Sequence, residues 1–258
     1  MLRIVVPLAL AGVVLAHGDS AAQANARDTL RLEVGSPEVD GRVYKPHKAL
    51  VRVRIGDPKG PVLREWTNEL TLGDSAGRPV MRWVTIGKQN TGPNAGATWE
   101  LRQTYDAITL KPYAYNSAQA NGAHTLLTTD GNRVRGVCRA PDGTEQPIEQ
   151  TIDRPGFFAG ASDLVPAAVG FAAGLVMTAP VWSPAMTTAE TRTFTVVGEE
   201  SVDVEGISVE AWKVEERRTD GSLYATWWLL DESPYMVYGE IVLPDGRVQR
   251  MTEVEVGR

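Results

Sequence analysis

Short turn sequences recur along the chain and divide it into segments of strand length. Asp-Gly or Asn-Gly occurs at Asp40-Gly41, Asn121-Gly122, Asp130-Gly131, Asp142-Gly143, Asp220-Gly221 and Asp245-Gly246. Gly, Asn and Asp tolerate the positive φ angles of the tight turns that join neighbouring antiparallel strands. Such regular turns are typical of an antiparallel sandwich or barrel.

Between the turns, apolar and polar residues alternate with a period of two. The segment ALVRVRI at 49–55 places Ala49, Val51 and Val53 on one face, and TWELRQTY at 98–105 behaves in the same way. This period predicts antiparallel strands with one packed face and one solvated face. The segment LYATWWLL at 223–230 is apolar on both faces, so we expect it to be covered on both sides, by a helix and a loop of the chain or by a partner.

One segment departs from the strand pattern because residues 164–189 contain no charged side chain. Ser162 or Asp163 can cap a helix there, and Gly174 can end it, so we predict a short apolar helix over 163–174. An apolar helix must be buried on all sides. The predicted fold is therefore mainly β: a curved antiparallel sheet that forms a half-open barrel, with one short apolar helix packed inside.

The N-terminus has the three parts of a secretory signal peptide. Arg3 is followed by an apolar stretch over 4–16 and by Ala22-Gln23-Ala24, a sequence of small residues suited to cleavage. We predict a signal peptide at 1–24 and a single β half-barrel domain at 25–258. The protein is then expected in the periplasm or the secreted fraction, without stable membrane insertion.

Composition and motif content argue against several classes of function. The formal net charge is −6 and the basic residues form no stripe, which disfavours nucleic-acid binding. Cys138 stands alone, and neither His47 nor His124 has metal-ligand spacing. Because nucleophile-elbow, phosphate-loop and dinucleotide motifs are also missing, we predict no catalytic residue, metal or cofactor. The adjacent acids Glu199-Glu200 and Glu215-Glu216 are interpreted as solvated edges of strands.

The order of segments resembles a known architecture. TWELRQTYDAITLKPYAYNS at 98–117 is followed by ASDLVPAAVGFAAGL at 161–175, then by a V-x-G-x-E-x-V stretch at 196–202, a Trp-rich strand and an Asp-Gly hairpin. This order resembles bacterial families of exported proteins of unknown function whose fold is similar to the periplasmic lipoprotein carriers of the LolA and LolB type. The resemblance implies a cavity for apolar groups such as lipid or acyl chains, and it carries over no catalytic residue.

Three functions follow as expectations. The first is a non-catalytic periplasmic protein that binds or escorts an apolar ligand (lipid, acyl chain or lipoprotein), with the helix as a displaceable plug. The alternatives are an envelope hydrolase whose active site is distributed over separate strands, and an envelope scaffold with a filled barrel. For the first function, the residues expected to line the cavity are Val169, Phe171, Trp182, Trp227 and Trp228.

Overall fold

The computed structural model describes residues 29–231 and 236–255. The predicted signal peptide at 1–24 and its cleavage site lie outside these residues. Within them, no helix is long and apolar enough to cross a membrane.

Sixteen strands form a single large sheet in the described part of the chain. The strands are β1 Thr29–Arg31, β2 His47–Ile55, β3 Arg64–Ser75, β4 Arg78–Gln89, β5 Thr98–Asp106, β6 Pro112–Gln119, β7 His124–Asp130, β8 Arg133–Arg139, β9 Glu145–Thr151, β10 Phe157–Phe158, β11 Val176–Trp182, β12 Glu190–Val204, β13 Ile207–Arg217, β14 Leu223–Leu229, β15 Met236–Val242 and β16 Val248–Glu255.

The sheet is mostly antiparallel and does not close on itself. Its order is β1-β11-β12-β13-β14-β15-β16-β2-β3-β4-β5-β6-β7-β8-β9, and the short strand β10 also pairs with β11. The two parallel pairs in the described residues are β1 with β11 and β10 with β11. Strand β16 pairs with β2, and this pairing joins the C-terminal strands β11–β16 to the strands β2–β9. The predicted fold class, an open and mainly antiparallel sheet with one short helix, is confirmed.

Most of the turn signals mark hairpins. The turns after β6, β7, β8, β13 and β15 each contain one of the Asn-Gly or Asp-Gly pairs. Asp40-Gly41 is the exception, because Asp40 caps a 3₁₀ turn over Gly41–Val43 and its Oδ1 accepts a hydrogen bond from the Arg42 backbone N–H at 3.0 Å. A Cβ atom at Gly41 would lie 2.5 Å from the Ala107 carbonyl oxygen, so only glycine fits there.

The helix α1 spans Leu164–Val169, so the predicted extent of 163–174 is wrong at its C-terminal end. It ends at Gly170, whose φ of 92° is unfavourable for residues with a side chain and whose N–H donates to the Pro166 carbonyl. Residues 164–168 are all buried, as an apolar helix requires. The Tyr44 hydroxyl donates to the Leu164 carbonyl at 2.6 Å and holds the helix in the core.

The two faces of the sheet differ in their cover. We call inner the face that carries Val51, Val53, Met81, Val214 and Ala225, which all belong to the main hydrophobic core. The inner face packs against α1 and the chain segments on either side of it. The outer face of most strands carries exposed or partly exposed polar side chains.

A long hairpin covers part of the outer face. The register of β12 and β13 shifts between Val196 and Gly198, and beyond this point the hairpin reaches the strands β15 and β16. At its tip, the Glu205 carboxylate accepts hydrogen bonds from Arg54 at 2.8 Å and from Thr252 at 3.2 Å. The predicted burial of β14 on both faces is confirmed for Ala225–Leu229. On the outer face, Trp228 contacts Glu200 and Lys213 of the hairpin, in place of the predicted helix and loop.

Candidate functional site

A cavity of about 190 Å³ lies on the inner face, between strands β3–β5 and strands β14–β16. The turn over residues 159–163, just before α1, forms another wall. Four of the seven tryptophans of the chain line it. Its aromatic lining residues are Trp66, Trp83, Trp99, Tyr224 and Trp227, and its polar lining residues are Asn68, Thr85, Ser162, Asp163 and Glu253.

A glycine positions two of these tryptophans. Gly87 on β4 is the cross-strand partner of Trp66 on β3 and of Trp99 on β5. A Cβ atom at Gly87 would overlap with the ring of Trp99. Because glycine has no side chain, the Trp99 ring can lie directly over the backbone of β4 at this position. The rings of Trp66 and Trp99 then meet at 5.8 Å between centroids, a distance typical of aromatic pairs.

Trp227 is held in the same manner on the opposite wall. Its cross-strand partner is Gly239, where an added Cβ would lie 3.0 Å from the indole ring. The indole N–H donates to Oε2 of Glu216 at 2.9 Å, and the side chain is 6% exposed. A Trp opposite a Gly therefore occurs on both aromatic walls of the cavity.

Glu216 is fully buried behind Trp227, so its prediction as a solvated strand edge is wrong. Burial raises the pKa of its carboxyl, and Arg192, Trp227 and Ser162 oppose this shift. Arg192 donates to Oε1 at 3.0 Å and the Ser162 hydroxyl donates to Oε2 at 3.0 Å, so the buried charge is paired and hydrogen-bonded. Neighbouring residues of a strand point to opposite faces, which is why Glu215 stays on the outside.

Two further carboxylates line the cavity itself. Glu253 on β16 is 7% exposed, and its Oε1 lies 2.7 Å from Nε2 of His47. Burial raises the pKa of Glu253, while His47 and Asn68 oppose the rise.

Asp163 is the less compensated of these two acids. Burial raises its pKa to about 7, and the charges of Glu253 and Glu216 add to this effect. The hydrogen bonds that oppose the shift come from backbone groups of Asp163 and Leu164, and no side chain in 29–231 and 236–255 donates to the carboxylate. Its carboxylate is therefore available to a ligand in the cavity. Asp163 stands at the N-cap position of α1, as predicted, but its side chain makes no capping hydrogen bond.

The arrangement is suited to binding. It offers aromatic faces, two carboxylates and short polar side chains, and no Lys or Arg is among the described residues that line it. The part of the chain that the structure describes contains no group of three or more His, Cys, Asp or Glu side chains that could hold a metal ion. Gln103 Oε1 and Tyr105 Oη, on the inner face of β5, are buried without a hydrogen-bond partner in these ranges.

The structure separates the residues that the sequence predicts as cavity lining. Trp227 lines the cavity, whereas its neighbour Trp228 points to the outer face and donates its N–H to Oε1 of Glu200 at 2.8 Å. Phe171 stacks on Trp212 at 5.6 Å, and Trp182 is buried beside Phe158 at 6.1 Å. These residues do not line the cavity, nor does Val169, the partly buried last residue of α1.

Several lining residues are not predicted from the sequence. Asp163 is assigned there to a helix cap, and Trp66, Trp83, Trp99 and Glu253 are not singled out as site residues. The position of Glu253 could have been found from the period of two in β16, because Glu253 and Met251 are two residues apart and lie on the same, inner face.

A larger groove of about 630 Å³ lies on the outer face of β4–β8. Its walls include Arg82, Arg102 and Arg135 together with the apolar side chains of Val84 and Leu126. It is more open than the inner cavity, and two of its arginines are already paired, one with Glu100 and the other with Glu149 at 3.2 Å. The inner cavity is therefore the stronger candidate for a site.

Fold and site together define an open, mostly antiparallel β protein with an aromatic and acidic cavity inside. No family model and no curated protein matches the chain. Among solved structures, the chain is similar to the crystal structure of a β-barrel-like protein of the domain of unknown function DUF1849 from Brucella abortus. The two chains are 10% identical, the match covers 81% of this chain and 96% of that one, and the TM-score is 0.46.

Proposed function

We propose that this chain is a non-catalytic binding protein of the bacterial envelope that holds an apolar or amphipathic ligand in the inner cavity. The observation that carries this proposal is the cavity wall, in which four tryptophans line one concave space. Binding sites for small molecules are concave, mostly apolar and aromatic, and contain a few polar groups that fix orientation. The cavity between β3–β5 and β14–β16 has these properties.

The size of the cavity limits what can enter. A volume of about 190 Å³ is smaller than the roughly 300–1,000 Å³ of pockets that bury most of a drug-sized ligand. A lipid, acyl chain or lipoprotein would therefore place only its head group or the end of one chain inside. This favours recognition of one end of an amphipathic molecule over enclosure of a whole lipid.

Neighbouring tryptophans provide a matched test of the proposal. Trp227 and Trp228 are 6% and 7% exposed, and each donates its indole N–H to a glutamate, but they lie on opposite faces. Titration with the small apolar probe 3,3-dimethylbutan-1-ol should give a saturable change in tryptophan emission. Trp227→Phe should weaken binding at least tenfold, and Trp228→Phe should leave it within about twofold. No saturable response, or equal losses in both variants, would remove the inner cavity as the site and favour a scaffold with a filled barrel.

Location in the envelope is part of the same proposal and depends on the N-terminal segment. The small residues Ala22-Gln23-Ala24 suggest cleavage after Ala24. N-terminal sequencing of the protein from the periplasmic or secreted fraction should therefore begin at Asn25. Recovery of the chain with Met1 retained in a membrane fraction would contradict export with cleavage.

One observation favours a second function, a hydrolase with a distributed site. Asp163, whose pKa is raised to about 7, shares the cavity with the carboxylate of Glu253, so one acid can be protonated while the other is ionised. Such pairs carry out general acid–base catalysis. Turnover of p-nitrophenyl glycosides or esters that is lost in both Asp163→Asn and Glu253→Gln would establish this function in place of simple binding.

A further inference from the structure

We infer that the inner cavity recognises an organic ammonium group, held between the tryptophan faces and the carboxylates of Asp163 and Glu253. The inference rests on the proposed binding function and names the class of its ligand. The source of the ammonium group, a free small molecule or the head group of a lipid, is distinguished by the experiment below.

The charged side chains that line the cavity are acidic. Among the lining residues in 29–231 and 236–255, the side chains that carry a formal charge are the acids Asp163 and Glu253. Cations near the cavity are engaged with other groups. His47 pairs with Glu253 at 2.7 Å, and Arg192 pairs with Glu216 at 3.0 Å and lies over the Tyr224 ring at 4.0 Å. Arg64 lies over the Trp66 ring at 5.9 Å and Arg218 over the Tyr224 ring at 5.0 Å, so Trp99 and Trp227 are tryptophan walls without such an arginine in the described residues. A ligand that enters the cavity therefore meets an excess of negative charge.

The aromatic walls of the cavity are also suited to a cation. A cation above an indole ring is attracted by the negative face of the ring, and tryptophan gives the strongest such interaction among the aromatic side chains. Trp66 and Trp99 meet on one wall, and Trp227 stands on the other with its N–H donated to a carboxylate. Aromatic walls of this kind suit an alkylated ammonium, which has an apolar surface and a positive charge.

Other ligand classes fit less well. An anion would be repelled by both carboxylates. A neutral apolar ligand would fill the space but would leave the Asp163 carboxylate buried beside it without a counter-charge, which is costly. A bare metal ion finds no group of three or more ligating side chains among the described residues.

Protonation of Asp163 should make the affinity of the cavity for a cation depend on pH. The charged and titratable groups that act on it are Glu253 on β16 and Glu216 on β13, and its own charge acts on Tyr105 on β5. Behind these stand His47 next to Glu253 and Arg192 next to Glu216. Because burial raises the pKa of Asp163 to about 7, its carboxyl is mostly neutral at pH 6 and mostly ionised at pH 8. A cation should therefore bind more tightly at pH 8.

The test compares choline with its neutral isostere 3,3-dimethylbutan-1-ol, by calorimetric titration of the full chain at pH 8. The two probes have the same shape and differ in the charge of the trimethyl end. Choline should bind at least tenfold more tightly than the alcohol. Asp163→Asn, which keeps the shape and removes the charge, should reduce this preference to within about threefold.

The outcomes separate this inference from the proposed function. If the alcohol binds as tightly as choline, the cavity is an apolar site and the ammonium inference is wrong, although the binding function stands. If neither probe binds, both fail. In a second series, choline affinity should fall up to about tenfold from pH 8 to pH 6, and the fall should be absent in Asp163→Asn. An unchanged fall in that variant would assign the effect to the His47–Glu253 pair and would overturn the role of Asp163.

A third arm identifies the source of the ammonium group. Dodecyltrimethylammonium, used below its critical micelle concentration, carries the same head group on a chain that must extend out of the cavity. At least tenfold tighter binding than choline would indicate a lipid head group as the natural ligand, and equal binding would indicate a free small molecule. Weaker binding than choline would mean that the cavity has no exit for a chain and would also indicate a free molecule.

Discussion

Gly87 is the residue on which the aromatic wall of the cavity depends. It lies between Trp66 and Trp99 in the sheet, and a side chain there would overlap with the Trp99 ring. In a packed interior, an added methyl group forces its neighbours to move and costs about 1–3 kcal/mol. Gly87→Ala should therefore lower the free energy of unfolding by about that amount, measured by urea denaturation, and should also weaken ligand binding.

Gly73 provides the matched control for this substitution. It lies on the neighbouring strand β3, where an added Cβ would lie 2.8 Å from Nη1 of Arg82, the far end of a flexible side chain. Gly73→Ala should therefore change stability by no more than about 0.5 kcal/mol. Equal effects of the two substitutions would show that the Trp99 ring does not need the space above Gly87.

Asp163 links the site to the stability of the fold. Its pKa is raised from 3.8 in the unfolded chain to about 7 in the folded protein, so folding favours the protonated carboxyl. The stability contributed by this protonation is complete below pH 3.8 and is lost as the pH rises through about 7. Asp163→Asn should therefore become more stable than the unmodified protein as the pH rises, by on the order of 4 kcal/mol at pH 8, since the shift is about three pKa units at about 1.4 kcal/mol each.

Urea denaturation of both proteins at pH 5 and pH 8 measures this effect. The difference in unfolding free energy between the variant and the unmodified protein should be larger at pH 8. A difference that is constant over this range would mean that Asp163 titrates normally in the folded state. Stabilisation by removal of a charged side chain is expected at a binding site, where function opposes stability.

At the scale of elements, the β12–β13 hairpin is the part of the sheet that turns back over its outer face. Its tip is a tight turn in which Glu205 and Gly206 both have positive φ, of 53° and 87°. Hydrogen bonds from Arg54 hold the pKa of Glu205 below its usual value despite some burial, and Thr252 and the charge of Arg52 contribute. The hairpin tip is therefore fixed to β2 and β16 by a partly exposed ion pair.

Glu205→Gln should loosen this attachment. The expected loss of stability is about 0.5–1 kcal/mol, as is common for partly exposed ion pairs, and amide exchange should accelerate in residues 198–211. Glu199→Gln, on the exposed side of the same hairpin, is the control and should change neither quantity. Faster exchange in both variants would show that the hairpin is not held by Glu205.

The elements also show what sequence can and cannot predict. The alternation in TWELRQTY predicts a strand with Trp99, Gln103 and Tyr105 on one face, and β5 has this arrangement. The end of α1 is not predicted correctly, because Gly170 and Gly174 are both capable of ending a helix and the choice depends on packing. Glu216 is not predicted to be buried, because its partners Arg192 and Trp227 are on other strands.

At the scale of the whole molecule, the cavity could not be predicted because its walls are far apart in the sequence. Trp66 and Trp99 are on β3 and β5, whereas Trp227 is on β14, and the pairing of β16 with β2 brings these strands into one curved sheet. Trp227 and Trp228 are equally apolar in the sequence, and only the phase of β14 decides which one faces inward. The antiparallel sheet and the one short helix could be predicted from local patterns, but the site depends on contacts between distant strands.

Binding of a ligand between these two walls can be followed residue by residue through the indole N–H signals of the seven tryptophans. Their cross-peaks in a ¹H–¹⁵N NMR spectrum, assigned with single Trp→Phe variants, can be followed during a choline titration at pH 8. The signals of Trp66, Trp83, Trp99 and Trp227 should shift together and saturate, because these residues line the cavity, whereas those of Trp182, Trp212 and Trp228 should stay in place. If no signal shifts, or if the largest shifts are those of Trp212 or Trp228, the inner cavity is not the binding site.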